Sequence, residues 1–271
     1  MGLRPIGFEA AGGVRMRVRD LLKRIDGVAP TALAESWDNV GLMTGDPDME
    51  VSRVGIALDP LPEAVAMAAD RGCQVLLSHH PLFLAPIRRL DLSRDPGRAV
   101  REAIRRDVAI LAAHTNWDCA KGGVSHELAR RLGLEEIEPL DPGTGLGARG
   151  RFAAPVPLSD LLNRIRSAWK LSHLDCYAPE NWSILRVALC GGSGSDLWPL
   201  ARDWGAGLYV TADMKYHALM DAARAGLAVA VADHGQMERA SLPELARRLQ
   251  AGGDLDVVLL DSEGLPSPLR L

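Results

Sequence analysis

The stretch LLSHHPLF, residues 76–83, decides how this chain is read. An apolar run of strand character delivers two adjacent histidines, His79 and His80, and Pro81 then keeps the backbone from continuing as an ordinary helix. In open α/β sheets the carboxyl ends of the strands border the crevice where ligands bind, so polar residues at such ends face a site. The sequence around this stretch has the matching rhythm. Apolar runs VSRVGIAL, CQVLLSHH and VAILAAHT alternate with helical stretches from Pro62, through GRAVREAIRR and in VSHELARRLGL, which predicts an α/β fold with a largely buried sheet.

A Gly- and Pro-rich stretch, EPLDPGTGLGARGRFAAPVP, separates this block from a second one. There the helix LSDLLNRIRSAWK precedes the strands LRVALCGG, LYVTADM, AVAVADH and LDVVLLDS. The expected organisation is two α/β lobes, with a flexible N-terminal extension over 1–15, an N-terminal lobe over 16–125 and a C-terminal lobe over 126–271. Met16, ahead of the amphipathic helix MRVRDLLKRIDGVAP, offers an alternative start.

Composition narrows the function classes. The 271 residues are 47% hydrophobic and 24% charged, the balance of a soluble globular protein with enough chain for a substantial core. No apolar run approaches the roughly 20 residues that span a bilayer, and the first residues lack the apolar centre of a signal peptide, so a cytoplasmic location is expected. A net charge of -4 argues against coating nucleic acid, which needs a concentrated basic face. Cys73, Cys119, Cys176 and Cys190 have no C-x-x-C spacing and are expected to be reduced and mostly buried.

Three strand ends carry chemistry-bearing side chains: His79 and His80 on one, His114 and Asp118 on the next, and Asp233, His234 and Glu238 in the second block. Of these, His79, His80, Asp118, His234 and Glu238 make a sensible metal set. Imidazole with carboxylate suits zinc, iron, manganese, cobalt or nickel, whereas magnesium and calcium favour nearly all oxygen. Adjacent histidines on extended backbone point in opposite directions, so two ions side by side would use both, with a carboxylate as bridge. His234 and Glu238 stand at i, i+4, one face of a helical turn. His126 and His173 read as solvated.

Other residues stay open at this level. His114 is a partner of the ligands or a proton shuttle, and His217 in TADMKYHAL is a helix cap or part of a relay, with Asp213 and Lys215 equally undecided. The turn Gly191–Gly194 in CGGSGSD has the strand–turn–helix arrangement that attracts anions but lacks the P-loop lysine. In WDNVGL, Trp37 is expected in the core, while Asp38 and Asn39 either hydrogen-bond the local backbone of a tight turn or stand on the rim of the metal cleft, with Asn39 left open.

Taken in order, ESWDNVGLMTGDP, LLSHHPLF, AAHTNWDCAKGGV, VALCGGSGSD, YVTADMKYH and ADHGQME resemble the motifs of the NIF-three-like family, also labelled GTP cyclohydrolase 1 type 2 homologues, from about Met16 to about Leu249. The resemblance is to the short members, without an inserted domain. It implies a homohexameric ring of two-lobed α/β subunits, with a dinuclear metal centre in the cleft between lobes. Matched motif by motif, its ligands fall on His79, His80, Asp118, His234 and Glu238, holding two divalent transition-metal ions per subunit, zinc, iron or manganese. Ala212, Trp117 and Gly235 depart from the usual glycine, leucine and aromatic, and Trp117 and Gly235 bear on the shape of the pocket.

The family label implies GTP as small-molecule substrate, with hydroxide attacking C8 of guanine, opening the imidazole ring and releasing formate. Such a reaction needs a proton relay, for which His114 and His217 are the candidates. Two rival expectations use the same five ligands: another metal-dependent hydrolysis, of a phosphoester for instance, and a metal-trafficking or scaffold protein without turnover.

Overall fold

Short runs of Val, Ile, Leu and Ala form the central strands, and most are buried on both faces, as strands are when helices cover a sheet from both sides. The computed structural model describes residues 16–178 and 182–260, so the expected extension over 1–15 lies outside the described residues. In chain order the first elements are α1 (Val18–Val28), β1 (Gly41–Thr44), β2 (Arg53–Ala57), α2 (Pro62–Asp70), β3 (Val75–Ser78), α3 (Gly97–Arg106), β4 (Ala109–Ala112), α4 (Thr115–Cys119) and α5 (Val124–Arg131). There follow β5 (Glu135–Glu138), β6 (Ala148–Pro157), α6 (Leu158–Trp169), β7 (Leu174–Tyr177), β8 (Ser183–Ser193), α7 (Trp198–Asp203) and β9 (Leu208–Ala212). The last are α8 (Tyr216–Arg224), β10 (Ala228–Ala232), α9 (His234–Arg239), α10 (Leu242–Gln250) and β11 (Asp256–Leu259).

These strands make two sheets, ordered β1-β4-β3-β2-β11 and β5-β6-β8-β9-β10-β7. In the first, β4, β3, β2 and β11 run parallel and β1 is an antiparallel edge. In the second, β8, β9 and β10 are parallel, with antiparallel strands outside them on both flanks. The expected division after residue 125 follows chain order, but β11 returns from the end of the chain to pair with β2.

The Gly- and Pro-rich stretch read as a separator contains a ten-residue strand, β6. Two features let it pair. Arg149 and Arg151 form ion pairs across the ladder with Glu138 and Glu136 of β5, at 2.8 and 2.6 Å. Pro155 falls where the register against β8 slips between Arg151 and Val156, so its missing N–H removes no regular ladder bond.

One buried apolar cluster runs through both sheets, joining Ile56, Leu77 and Leu111 of the first to Leu189, Val210 and Ala230 of the second, with Trp117 and Met237 in the same cluster. Smaller clusters cover the far faces, one including residues of α2 and α3, the other residues of α7 and α8. No helix among the described residues is long and apolar enough to cross a membrane.

Candidate metal centre

The β2–β3 pairing carries the double histidine past the end of its strand. The His79 and His80 amides donate to the Ala57 and Leu58 carbonyls at 3.1 and 2.9 Å, which holds both residues at the sheet edge. The next strand, β4, runs into His114 and the short helix α4, whose turn carries Asp118 with its amide on the His114 carbonyl at 3.0 Å. From the other sheet, β10 leads into α9, where the Asp233 carboxylate caps the helix by accepting from the Gln236 amide at 2.9 Å. That cap fixes the turn presenting His234 and Glu238 on one face.

These elements bring all five expected ligands together, with His114 beside them. His79, Asp118 and Glu238 form one group, and His80, His234 and Glu238 a second, with the ligand atoms of each group within 4.8 Å of one another. Glu238 belongs to both: its Oε1 lies 3.4 Å from His79 Nε2 and 2.8 Å from His234 Nε2, and its Oε2 lies 3.0 Å from His80 Nε2. Asp118 Oδ1 is 3.7 Å from His79 Nε2. A third group joins His79, His80 and His114, whose rings are 5.2 to 5.7 Å apart.

Every one of the four imidazoles has its Nδ1 tied back. His79 Nδ1 meets the Ala113 carbonyl at 2.9 Å, His80 Nδ1 the Asp59 carboxylate at 2.7 Å, His114 Nδ1 Asp38 at 2.8 Å and His234 Nδ1 Asp213 at 2.5 Å. Such partners fix ring orientation and raise the basicity of the other nitrogen, the arrangement found behind metal-ligating histidines. Sequence reasoning left Asp213 undecided and passed over Asp59 and the Asp38–His114 pair. The signal for Asp59 and Asp213 was available, since they follow β2 and β9 as the histidines follow β3.

The site fits a cation on two observations. His79 Nε2, Asp118 Oδ1 and Glu238 Oε2 are buried without a hydrogen-bond partner, the Glu238 oxygen close to His80 but not in bonding geometry. Unsatisfied buried polar atoms are costly, and three converging on one spot are what a divalent ion would take up. Gly192, at φ +73°, lies so close that a Cβ there would fall 2.5 Å from Glu238 Oε1 and 3.2 Å from His234 Nε2.

Electrostatics agree with that fit. Burial pushes the Asp118 carboxyl up to about 7, with the neighbouring Glu238 charge adding to it against the pull of His79. Burial opposes protonation of His80, but the hydrogen bond to Asp59 and the nearby Glu238 carboxylate outweigh it and raise the ring to about 10. The Glu238 carboxylate, 2.8 Å from its Nε2, raises His234 to about 9. For His79, burial is likewise outweighed by Glu238 and Asp118, so its pKa also rises. Despite its own burial, Glu238 is held well below the usual carboxylate range by His79 and by the close approach of His234 and His80. His114 is the exception, lowered by burial and by the charge of His79. Without metal, protons on the histidines balance the carboxylates, and a bound cation would displace them.

His217 sits exposed in the first turn of α8 against the Tyr216 ring, outside the cluster. His126 is half-buried on α5, and His173 pairs with Asp175 at 2.6 Å; neither joins the cluster. The Gly191–Gly194 turn belongs mostly to β8, where the Gly191 amide is spent on Ser125 Oγ and the Gly194 carbonyl accepts from Tyr209. Its glycines serve close packing against Glu238 and Tyr209. Trp117 is fully buried, its indole N–H on Ser241 at 3.1 Å, so it shapes the core and not a pocket. Trp37 overturns its expectation: it is 56% exposed, because the buried member of the turn is its neighbour Asp38, whose carboxylate binds His114 and Thr115. Asn39 donates to the Phe83 carbonyl at 2.6 Å, beside the same rim.

A mixed α/β protein with histidines and carboxylates able to hold a metal ion is the class that this fold and cluster define. The chain belongs to the Duf34/NIF3 (NGG1p interacting factor 3) family, whose profile matches residues 16–266. It is 30% identical over 260 residues to the GTP cyclohydrolase 1 type 2 homolog of Clostridium perfringens, covering 94% of this chain and 99% of that one. The corresponding homolog of Streptomyces coelicolor is 35% identical over 215 residues, 76% of this chain and 75% of its own. Among solved structures, a hypothetical protein of Staphylococcus aureus superposes with a TM-score of 0.85 at 27% identity, covering 94% of this chain and all of that one.

Proposed function

We propose that this protein is a divalent-metal hydrolase in which His79 and Asp118 hold one ion, His80 and His234 hold a second, and Glu238 bridges them. The observation that carries this reading is the sharing of Glu238 by two ligand groups, with His79 Nε2, Asp118 Oδ1 and Glu238 Oε2 buried and without a hydrogen-bond partner. The mixed nitrogen and oxygen donors suit zinc, iron or manganese. Two divalent ions, when bound, activate water at neutral pH and polarise the group it attacks.

The chain's own residues supply the rest. His114 has Nδ1 engaged by Asp38 and is kept neutral by burial, so Nε2 can accept the proton of the attacking water and return it to the leaving nitrogen. The names of the relatives point to GTP as the substrate, and the reaction we assign to it is opening of the imidazole ring with loss of formate. The same resemblance leads us to assign a homohexameric assembly, which light scattering on the metal-loaded protein measures directly.

The decisive experiment incubates GTP with manganese-, zinc- or iron-loaded protein and analyses products by mass spectrometry, with Asp118→Ala as control. Formate and the ring-opened nucleotide, both absent with the variant, are expected. Metal-loaded protein that leaves GTP intact but cleaves a phosphoester would replace the substrate, and metal loading with no turnover across a substrate screen would replace the hydrolase by metal handling.

A further inference from the structure

Tryptophan has a large apolar body that is highly buried on average, with its single N–H satisfied when it is inside. Trp117 and Trp169 follow that rule and are fully buried. Trp37 does not, although the residues around it are firmly held. On one side the Asp38 side chain is completely covered and bonded to His114 Nδ1 and the Thr115 amide, at 2.8 and 3.0 Å. On the other, Asn39 is tied to the Phe83 carbonyl. The indole is therefore held out by an ordered turn.

What it borders is the metal centre. The Trp37 ring lies 6.1 Å from that of His114, nearly perpendicular to it, and His114 in turn contacts both His79 and His80. Beside it is an open cavity of about 540 Å³ lined by Trp37, Asn39, Phe83, Leu84, Pro86 and Ile87. That volume lies within the ordinary range for small-molecule pockets. Leu84 and Ile87 are themselves about half exposed, at 50% and 47%, which sets apolar side chains beside the ionic centre.

We propose that Trp37 is a substrate-binding residue that stacks on a planar heteroaromatic ring and so selects ring-bearing substrates at this centre. The inference rests on the hydrolase reading for the identity of the centre, and adds the chemical class the site prefers. Beside a metal centre, a wall of this kind suits a ligand with a flat apolar face within reach of the ions. Phosphoesters of simple sugars lack one, and purines, pterins and flavins have one.

The test uses metal-loaded protein and follows tryptophan emission, with Trp37→Phe subtracted to isolate Trp37 from the other five tryptophans among the chain's six. The probes are GTP, adenosine and riboflavin, with ribose phosphate as the control that lacks an aromatic ring. At least one ring-bearing probe is expected to quench Trp37 saturably while ribose phosphate does not. Trp37→Ala should then bind that probe about 5- to 150-fold more weakly, the span of base–aromatic stacking energies, and Trp37→Phe should recover most of the loss.

Absence of quenching by every ring-bearing probe would overturn the proposal, as would an unchanged Kd in Trp37→Ala. So would an indole already shielded from acrylamide whose replacement splits the oligomer, because a second copy of the chain would then cover the wall. The two readings fail separately. Quenching without turnover removes the hydrolase and keeps the stacking wall; GTP turnover with unchanged kcat/KM in Trp37→Ala does the reverse.

Discussion

Replacing Gly192 by alanine probes the tightness of the packing around Glu238. The substitution has two separable costs. Gly192 sits at φ +73°, where an L side chain costs about 1–2 kcal/mol. Its new Cβ would also lie 2.5 Å from Glu238 Oε1, half an ångström short of the closest approach that real Cβ atoms make. Glu238 has little room to retreat, being 3% exposed with its oxygens 2.8 Å from His234 and 3.0 Å from His80. Metal sites tolerate ligand displacements of only about 0.2 Å, so a carboxylate pushed this far would no longer bridge. Gly253 is the control, since it has the same φ of +73° with nothing near its Cβ. Gly253→Ala should lower stability by the backbone cost alone and keep its metal. Gly192→Ala should lose about 2–5 kcal/mol, the backbone cost plus about 1–3 kcal/mol for the overpacked contact, roughly 4–20 °C in Tm measured in chelator, and its metal content after dialysis against zinc should fall below that of Gly253→Ala. Mass-spectrometric metal analysis reads the second effect. A Gly192→Ala protein that keeps two ions at wild-type affinity would refute a Glu238-bridged centre.

Three further outcomes follow from the geometry around the centre. Asp59→Ala frees His80 Nδ1 from its 2.7 Å partner and should weaken zinc binding about 10- to 100-fold in competition with a chelating dye; unchanged affinity would mean that Asp59 does not orient the ring. In metal-free protein, His80 and His234 are raised to about 10 and 9 from an unfolded value near 6.5. Between those limits the folded state binds more protons than the unfolded state, so their stabilisation is complete below about pH 6.5 and lost as pH rises through 9 to 10. Tm in chelator should decline across that window, and a flat or rising profile would count against the protonated centre. Trp117→Leu removes a fully buried indole and the donor to Ser241, and should cost about 2–4 kcal/mol in denaturant unfolding, whereas a loss below 1 kcal/mol would show that the core closes over the gap.

The parts of the site legible in sequence were those governed by local pattern. An apolar run followed by polar residues marks a strand end, and the strand-end rule was enough to name His79, His80, Asp118, His234 and Glu238, which the structure brings together. Asp59 obeys the same rule but was hidden because a lone aspartate before a proline reads as an ordinary turn. Asp38 was hidden for a different reason. Its partner His114 is 76 residues away, and nothing local says that the aspartate of WDN will be buried and the tryptophan exposed. The strand β6 was missed because its pairing is stabilised by ion pairs to β5 and tolerates proline at a slip in register, neither of which shows in an apolar pattern.

The placement of Glu238 bears on how the whole chain should unfold. His79, His80 and Asp118 follow strands of one sheet, while His234 and Glu238 follow β10 of the other, so a bound ion would be held by both sheets at once. The sheets are already joined without metal, because the largest buried cluster contains strand residues of both and β11 returns to β2 after the second sheet is complete. Metal should therefore raise the stability of one cooperative unit and not fasten together two independent ones. Binding confined to the native state adds RT ln(1 + [L]/Kd), about 2.7 kcal/mol at a free ion concentration a hundredfold above Kd. Calorimetry of the described fold should give a single unfolding transition both with zinc and in chelator, displaced to lower temperature in chelator. Two transitions in chelator that merge on adding zinc would mean that the ions, and not the shared core, hold the sheets together.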